Sequence, residues 1–303
     1  NKLEKLIERL RPYADVECDV KLSTRTTFRI GGPCKYFIYP KNMLGLLRIL
    51  DILEEAQIPR KVFGKGSNIL CSDDAYEGAV ISLDRYFTDF VFEADGTCVA
   101  AAGTSIILLA YEAMKNSLSG LEFASGIPGT VGGAVFMNAG AYKSDMSKIL
   151  KEVYVLKDKS VVSMSVEELD YRYRHSLFQS HFDWIILGCR LQLTKGDQKD
   201  IRDLMDSRRK RRMDSQPLDK PCAGSMFRNP QGYQAWELIE RIGYRGKRIG
   251  GAMVSDKHAN FIVNEDHAKA TEILALVKEI QQEVRKQFGV ELITEVEKFN
   301  WKS

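Results

Sequence analysis

The chain has 303 residues, 44% of them apolar and 28% charged, with a net charge of +3. That length and balance exclude a disordered chain or a small disulfide-stapled one, and fit a folded protein of two or three domains. So small a net charge gives no footing for nucleic-acid binding and little for anionic ligands.

Leu3, Leu6, Ile7 and Leu10 predict a short amphipathic helix stopped near Pro12, too charged for a signal peptide. No apolar run approaches a membrane span. The six cysteines, Cys18, Cys34, Cys71, Cys98, Cys189 and Cys222, show no C-x-x-C spacing, which speaks against zinc or a redox pair and for a reducing compartment. The expectation is a soluble cytoplasmic protein with no metal.

After a strand at 35–39, Met43, Leu44, Leu47, Leu50, Leu53 and Ala56 recur at helical spacing. A strand at 62–63 then runs into Gly64-Lys65-Gly66-Ser67-Asn68. A dinucleotide fingerprint follows the first strand and opens a helix; here the glycines follow the second strand and lead into β-like Ile69-Leu70-Cys71. A phosphate-binding turn on a different scaffold is the better reading. Short strands dominate 79–103, with a hairpin turn at Asp95-Gly96, and Thr104 is expected to cap a helix carrying Ile106, Ile107, Leu109, Ala110 and Met114.

The segment 125–142, SGIPGTVGGAVFMNAGAY, has five glycines yet is apolar elsewhere. A linker would be polar, and an ordinary strand or helix would lose entropy at each glycine. The pattern fits a buried, turning backbone that either lets a phosphate- or ring-bearing ligand approach its amides or serves as a structural turn. Strands at 151–156, 161–164 and 184–193 follow, without regular βα alternation, so 24–195 reads as an α+β domain after an N-terminal helical segment, 1–23. A helix from Ile201 leads into five basic residues, 208–212, most simply a solvated face with one or two arginines turned to a ligand's phosphates. Residues 196–303 form the second expected domain: a helix at 234–242, β-like 251–254 and 259–264, a long helix at 268–288 closed by Gly289, and a strand at 290–299.

Polar motifs worth chemistry are few. Arg174, in YRHSLF, could stabilise negative charge. Ser225, in CAGSMFRNP, is flanked by small residues without a G-x-S-x-G elbow. Glu295 is placed by alternation on the last strand. His258 has no second ligand at metal spacing.

Taken in order, TTFRIGG, GKGSNIL, SGIPGTVGGAVFMNAGAY, YRHSLF, AGSMFRNP, RIGGAMVSDKHANFIVN and GVELITEV resemble the UDP-N-acetylenolpyruvoylglucosamine reductase family, in its shorter class. The resemblance implies an α+β fold: an FAD-binding domain of the vanillyl-alcohol-oxidase type followed by a smaller substrate-binding domain. It implies noncovalent FAD, since neither glycine motif contains His or Cys, held by Gly64, Lys65, Gly66, Ser67, Asn68, Ile69, Ser125, Gly126, Ile127, Gly129, Thr130, Gly132, Gly133, Asn138 and Gly140. NADPH is the implied reductant, and a UDP-sugar enolpyruvyl ether of peptidoglycan precursor synthesis the substrate. Arg174 and Glu295 would stabilise the enol-like intermediate, Glu295 with a raised pKa, and Ser225 would donate the final proton. Asn229, Gln216, Arg212 and His258 are the implied substrate contacts. No nucleic-acid or membrane partner is expected, and a monomer is favoured. In this chain Glu297 follows Val296, where many relatives carry arginine.

Overall fold

The protein is described here by a computed structural model covering residues 1–302. It forms two compact units, each assembled from three stretches of chain: 1–19, 35–65 and 77–210 in the first, 20–34, 66–76 and 211 onward in the second. Composition along the chain suggested breaks near 23 and 195. Compactness instead sets two short segments, 20–34 and 66–76, with the later part of the chain, which no local texture announces.

In the first unit, helix α1 (Lys2–Leu10) is capped by Asn1, whose side chain accepts from the Leu3 amide at 3.1 Å. Helix α2 (Met43–Glu55) is capped by Asn42 on the Gly45 amide at 2.8 Å. Its buried Leu46, Ile49, Leu50, Ile52 and Leu53 share a core with Tyr36, Ile38, Ala79 and Ile81 of a four-stranded sheet. Each such aliphatic side chain contributes about 1.5–3 kcal/mol on burial, so this face alone anchors the helix. The sheet runs in the order Ala14–Lys21, Pro33–Pro40, Tyr76–Ser82, Arg60–Phe63, the last two parallel.

A second, antiparallel sheet orders Ser160–Ser165, Leu150–Lys157, Ile185–Gln192, Thr97–Ala101 and Phe90–Phe92. Its hairpin turns at Asp95-Gly96, with Gly96 at φ +89° and the Thr97 amide on the Asp95 carboxylate. Helices α3 (Ile106–Lys115) and α4 (Val131–Met137) share its core through Leu109, Ala113, Val131 and Val135. The cap of α3 is Ser105, which accepts from the Leu108 amide at 3.3 Å, rather than the expected Thr104; Thr104 is fully buried one residue earlier. Helix α5 (Gln198–Ser215) buries Ile201 and Met205.

In the second unit, helices α6 (Ala235–Arg241) and α7 (Ala270–Phe288) close a core with Phe28, Leu70, Val254 and Ile262. Ile273, Val277, Ile280 and Val284 of α7 supply its apolar stripe, and Gly289 ends the helix at φ +65°. Strand Ile69–Cys71 pairs in parallel with Glu297–Phe299. The strand expected over 290–299 is therefore confined to its last part. Before it, the chain spends its backbone on irregular bonds, Leu292 O accepting from Gln281 Nε2 and Ile293 O from the Arg228 amide. No helix among the described residues is long and apolar enough to cross a membrane.

Candidate active site

The glycine-rich stretch is less irregular than its composition suggests, because 131–137 forms α4. Thr130 makes that possible: its hydroxyl accepts from the Gly133 amide at 3.1 Å, a capping bond that offsets poor helix propensity. The Val131 amide donates to Thr104 O and that of Gly132 to Ala102 O, both at 2.8 Å. The first amides of α4 are thus satisfied within the protein. Gly132 and Gly133 do not offer them to a ligand as expected; Gly132 instead permits close packing, since a Cβ there would meet the Ala102 Cβ at 3.0 Å. Gly64, at the end of strand Arg60–Phe63, lies so near Thr130 that a Cβ would come within 2.8 Å of its hydroxyl. Gly129 adopts φ +145°, its carbonyl accepting from the Ile106 amide. Next to the start of α4 the Thr104 hydroxyl is buried with no partner among the described residues. Ser125 is buried, donating to Glu122 O at 2.9 Å, and the Ile127 amide donates to Ala124 O; the expected ligand residue Gly126 lies between them.

Asn138 ends α4 in the left-handed region at φ 49° and is 1% exposed. Its Nδ2 donates to Arg172 O at 2.8 Å and to Asp145, and its Oδ1 accepts from the Ser147 amide. A side chain so occupied holds the turn. The next turn forms the pair Gly140–Ala141 with Ser144–Asp145, and the Gly140 carbonyl accepts from Arg174 Nη2 at 2.8 Å. Arg174, itself at φ 48°, is carried on a loop pinned by Ser176, which is fully buried and donates to Phe136 O at 2.6 Å. The sequence motif YRHSLF thus reads as one aimed arginine and one anchoring serine.

Lys65 pairs with Asp84 at 3.3 Å. Gly66 needs its glycine: φ is +64°, and a Cβ would stand 2.3 Å from Arg25 O. Asn68 of the same motif is directed at the segment around Glu295, its Nδ2 donating to Glu295 O at 3.2 Å and its carbonyl accepting from the Glu297 amide. Ile69 is buried and starts the parallel strand.

Ser225 and Glu295 are brought together by backbone pairing. The Glu295 amide donates to Met226 O at 2.8 Å, the Arg228 amide to Ile293 O at 2.9 Å, and Phe227 faces Thr294 in an antiparallel bridge. Gly224, at φ +76°, turns the chain just before Ser225. Cys222 lies three residues upstream, its thiol pushed up chiefly by burial.

The expected substrate residues divide. Asn229 uses its Oδ1 on the Ala235 amide at 2.9 Å, at the start of α6. Gln216 has a buried Oε1 with no partner among the described residues. Arg212 is half-buried next to the end of α5. Of the rest of the basic run, Arg208 lies over the Tyr142 ring at 4.8 Å and its carbonyl accepts the Tyr142 hydroxyl at 2.9 Å, while Arg209 reaches Tyr111. His258 turns inward: its Nδ1 accepts from the Asn260 amide at 3.2 Å, and its ring meets Phe261 edge-on. That ring nitrogen therefore serves a structural turn.

Asn260 and Tyr142, both engaged in hydrogen bonds here, carry no distinct signal of their own in the sequence. Tyr142 was legible only as the last letter of the glycine stretch, and Asn260 as part of a motif whose conspicuous residue was the histidine.

Comparison with known proteins bears on both units. A family profile described as the UDP-N-acetylenolpyruvoylglucosamine reductase C-terminal domain matches residues 216–299, and one described as an FAD binding domain matches 34–163. UDP-N-acetylenolpyruvoylglucosamine reductases of Anoxybacillus flavithermus and Halalkalibacterium halodurans are each 41% identical over 97% of this chain and 98% of their own. A crystal structure of UDP-N-acetylenolpyruvylglucosamine reductase from Thermus caldophilus superposes with a TM-score of 0.81 at 34% identity, over 95% of this chain and 100% of that one.

Proposed function

The chain belongs to the UDP-N-acetylenolpyruvoylglucosamine reductase family and is an FAD-dependent oxidoreductase, and from that premise we propose that it reduces UDP-N-acetylglucosamine enolpyruvate to UDP-N-acetylmuramate with NADPH, a step of peptidoglycan precursor synthesis. When bound, FAD supplies hydride transfer between nicotinamide and the vinyl carbon of the substrate. The residues present fit that cofactor. Gly129 turns the chain at φ +145°, and near it a buried Thr104 hydroxyl lacks a partner among the described residues, a polar atom left for a bound group. Ser67, Ser125, Gly126, Ile127, Gly129 and Thr130 are the residues we assign to holding it, without a covalent bond.

Reduction at the methylene carbon places negative charge on the neighbouring carbon and its carboxylate. Arg174 balances that charge, its guanidinium oriented by the Gly140 carbonyl. Glu295 does so as a neutral acid, which requires its pKa to be raised. Ser225 Oγ gives its proton to the carbanionic carbon, a transfer that suits a weak acid only when the acceptor is strongly basic and well placed. Asn229, Gln216 and Arg212 are assigned to the UDP portion.

The observation that supports this reading most is the 2.8 Å bond between Glu295 N and Met226 O, which sets the segments of the acid and the proton donor side by side. The test is a visible spectrum of the purified protein taken anaerobically with NADPH. Bleaching, followed by recovery on adding the enolpyruvyl sugar nucleotide, is the expected result. Recovery with oxygen alone would replace the reductase by an oxidase, and a colourless protein that FAD cannot reconstitute would remove the cofactor assignment.

A further inference from the structure

Asn260 is 5% exposed and makes polar contacts with two successive residues beyond Ser225. Its backbone carbonyl accepts from the Met226 amide at 2.8 Å. Its side chain takes both backbone groups of Phe227, Oδ1 accepting from the amide at 3.0 Å and Nδ2 donating to the carbonyl at 2.9 Å. A carboxamide used this way imitates the backbone of a neighbouring strand. Met226–Arg228 is therefore held along both edges, by Asn260 on one and by 293–295 on the other.

Asn260 is itself held. Its amide donates to His258 Nδ1 at 3.2 Å, the His258 and Lys257 amides donate to the buried Ser255 hydroxyl, and Ser255 N and Phe261 N close the loop on Phe261 O and His258 O. The result is a rigid turn whose inward product is one correctly oriented amide. The asparagine touches neither Ser225 nor Glu295 in these bonds; it fixes the register of the segment between them.

We infer that Asn260, oriented by His258, is a positioning residue that sets Ser225 against Glu295 for the proton transfer. The inference rests on the proton-donor reading of Ser225 given above. Asn260→Asp keeps the shape and replaces the Nδ2 donor by an oxygen facing the Phe227 carbonyl. The expected result is a kcat for the enolpyruvyl sugar nucleotide lowered about tenfold or more, with KM changed less than about twofold, while NADPH still bleaches the bound flavin at the wild-type rate. A merely structural role would lower flavin content and melting temperature and slow both half-reactions together.

His258 gives a second route that does not require Asn260 to be replaced. His258→Ala removes the acceptor for the Asn260 amide, and His258→Asn restores one, since an asparagine oxygen bonds the amide two residues on. kcat should fall in the first variant and largely recover in the second. Wild-type kcat in Asn260→Asp, or equal kcat in the two His258 variants, overturns the inference, and so does a loss confined to KM. If Asn260→Asp does not fold, the His258 pair decides. Ser225→Ala is measured beside them: full turnover there sinks the proton-donor reading and the inference with it, whereas loss there with full turnover in Asn260→Asp sinks the inference alone.

Discussion

Arg174 Nη2 and the Gly140 carbonyl stand 2.8 Å apart, so the candidate catalytic guanidinium is aimed by a backbone atom of the glycine-rich stretch. A carbonyl fixes direction and brings no formal charge. The same contact explains the glycine: a Cβ at 140 would lie 2.9 Å from Arg174 Nη1 and 2.4 Å from Ser144 O. Gly140→Ala should therefore lower kcat by about 10–100-fold, the scale of a small misplacement of a catalytic group. Arg174→Lys should fare no better, because an ammonium cannot reproduce the planar fork. Steady-state kinetics of the two variants check this; wild-type kcat in either would remove the contact from the mechanism.

Gly66→Ala tests the other glycine motif. The alanine would meet a positive φ and the Arg25 carbonyl at once, a cost of about 1–3 kcal/mol. The ratio of visible to ultraviolet absorbance in the purified variant should fall, reporting lost flavin, and excess FAD should restore it in part.

Asn138→Ala removes three side-chain hydrogen bonds from a buried left-handed residue. The loss should come to about 2–4 kcal/mol, from unpaired groups and the αL penalty together. Urea unfolding measures it, and a change under about 0.5 kcal/mol, typical of a plain surface site, would contradict the clamp assigned to this side chain.

His258 makes stability depend on pH. Burial first, then the positive charge of Arg245, lowers its pKa below the ordinary 6.5. Between the lowered folded value and 6.5 the unfolded chain binds more protons than the folded one, so stability rises with pH through that window and is lost as pH falls through it. The urea midpoint of the wild type should drop on acidification from about pH 7 to about pH 5.5, the range in which histidine titrates. The His258→Asn variant should show a shallower drop; an identical slope in both would clear His258 of the effect.

Long periodic elements were legible in the sequence, and partnerships were not. Six apolar residues at helical spacing gave α2, and the stripe ending at Gly289 gave α7, because a helix face is written locally. The glycine count hid α4, whose existence depends on Thr130 capping and on carbonyls of Ala102 and Thr104 that lie far back in the chain. Alternation continues through 290–296 and so extends the last strand in the sequence, whereas the backbone of 293–295 pairs with 226–228 instead. Ser225, Glu295 and Arg174 stand out as candidates through motif resemblance alone. Asn260 does not, since its chemistry appears only when Phe227 is beside it.

The parallel pairing of Ile69–Cys71 with Glu297–Phe299 has a consequence for biosynthesis. Asn68 and Glu295, joined at its edge, are 227 residues apart. At roughly 5–20 residues per second of translation, strand 69–71 leaves the ribosome some ten to fifty seconds before its partner exists. The first unit has all its segments once residue 210 emerges, whereas the second keeps an apolar strand waiting until almost the end. A nascent chain stalled before residue 297 should thus be a better chaperone client than the full one, with its earliest-made strand the part still exposed.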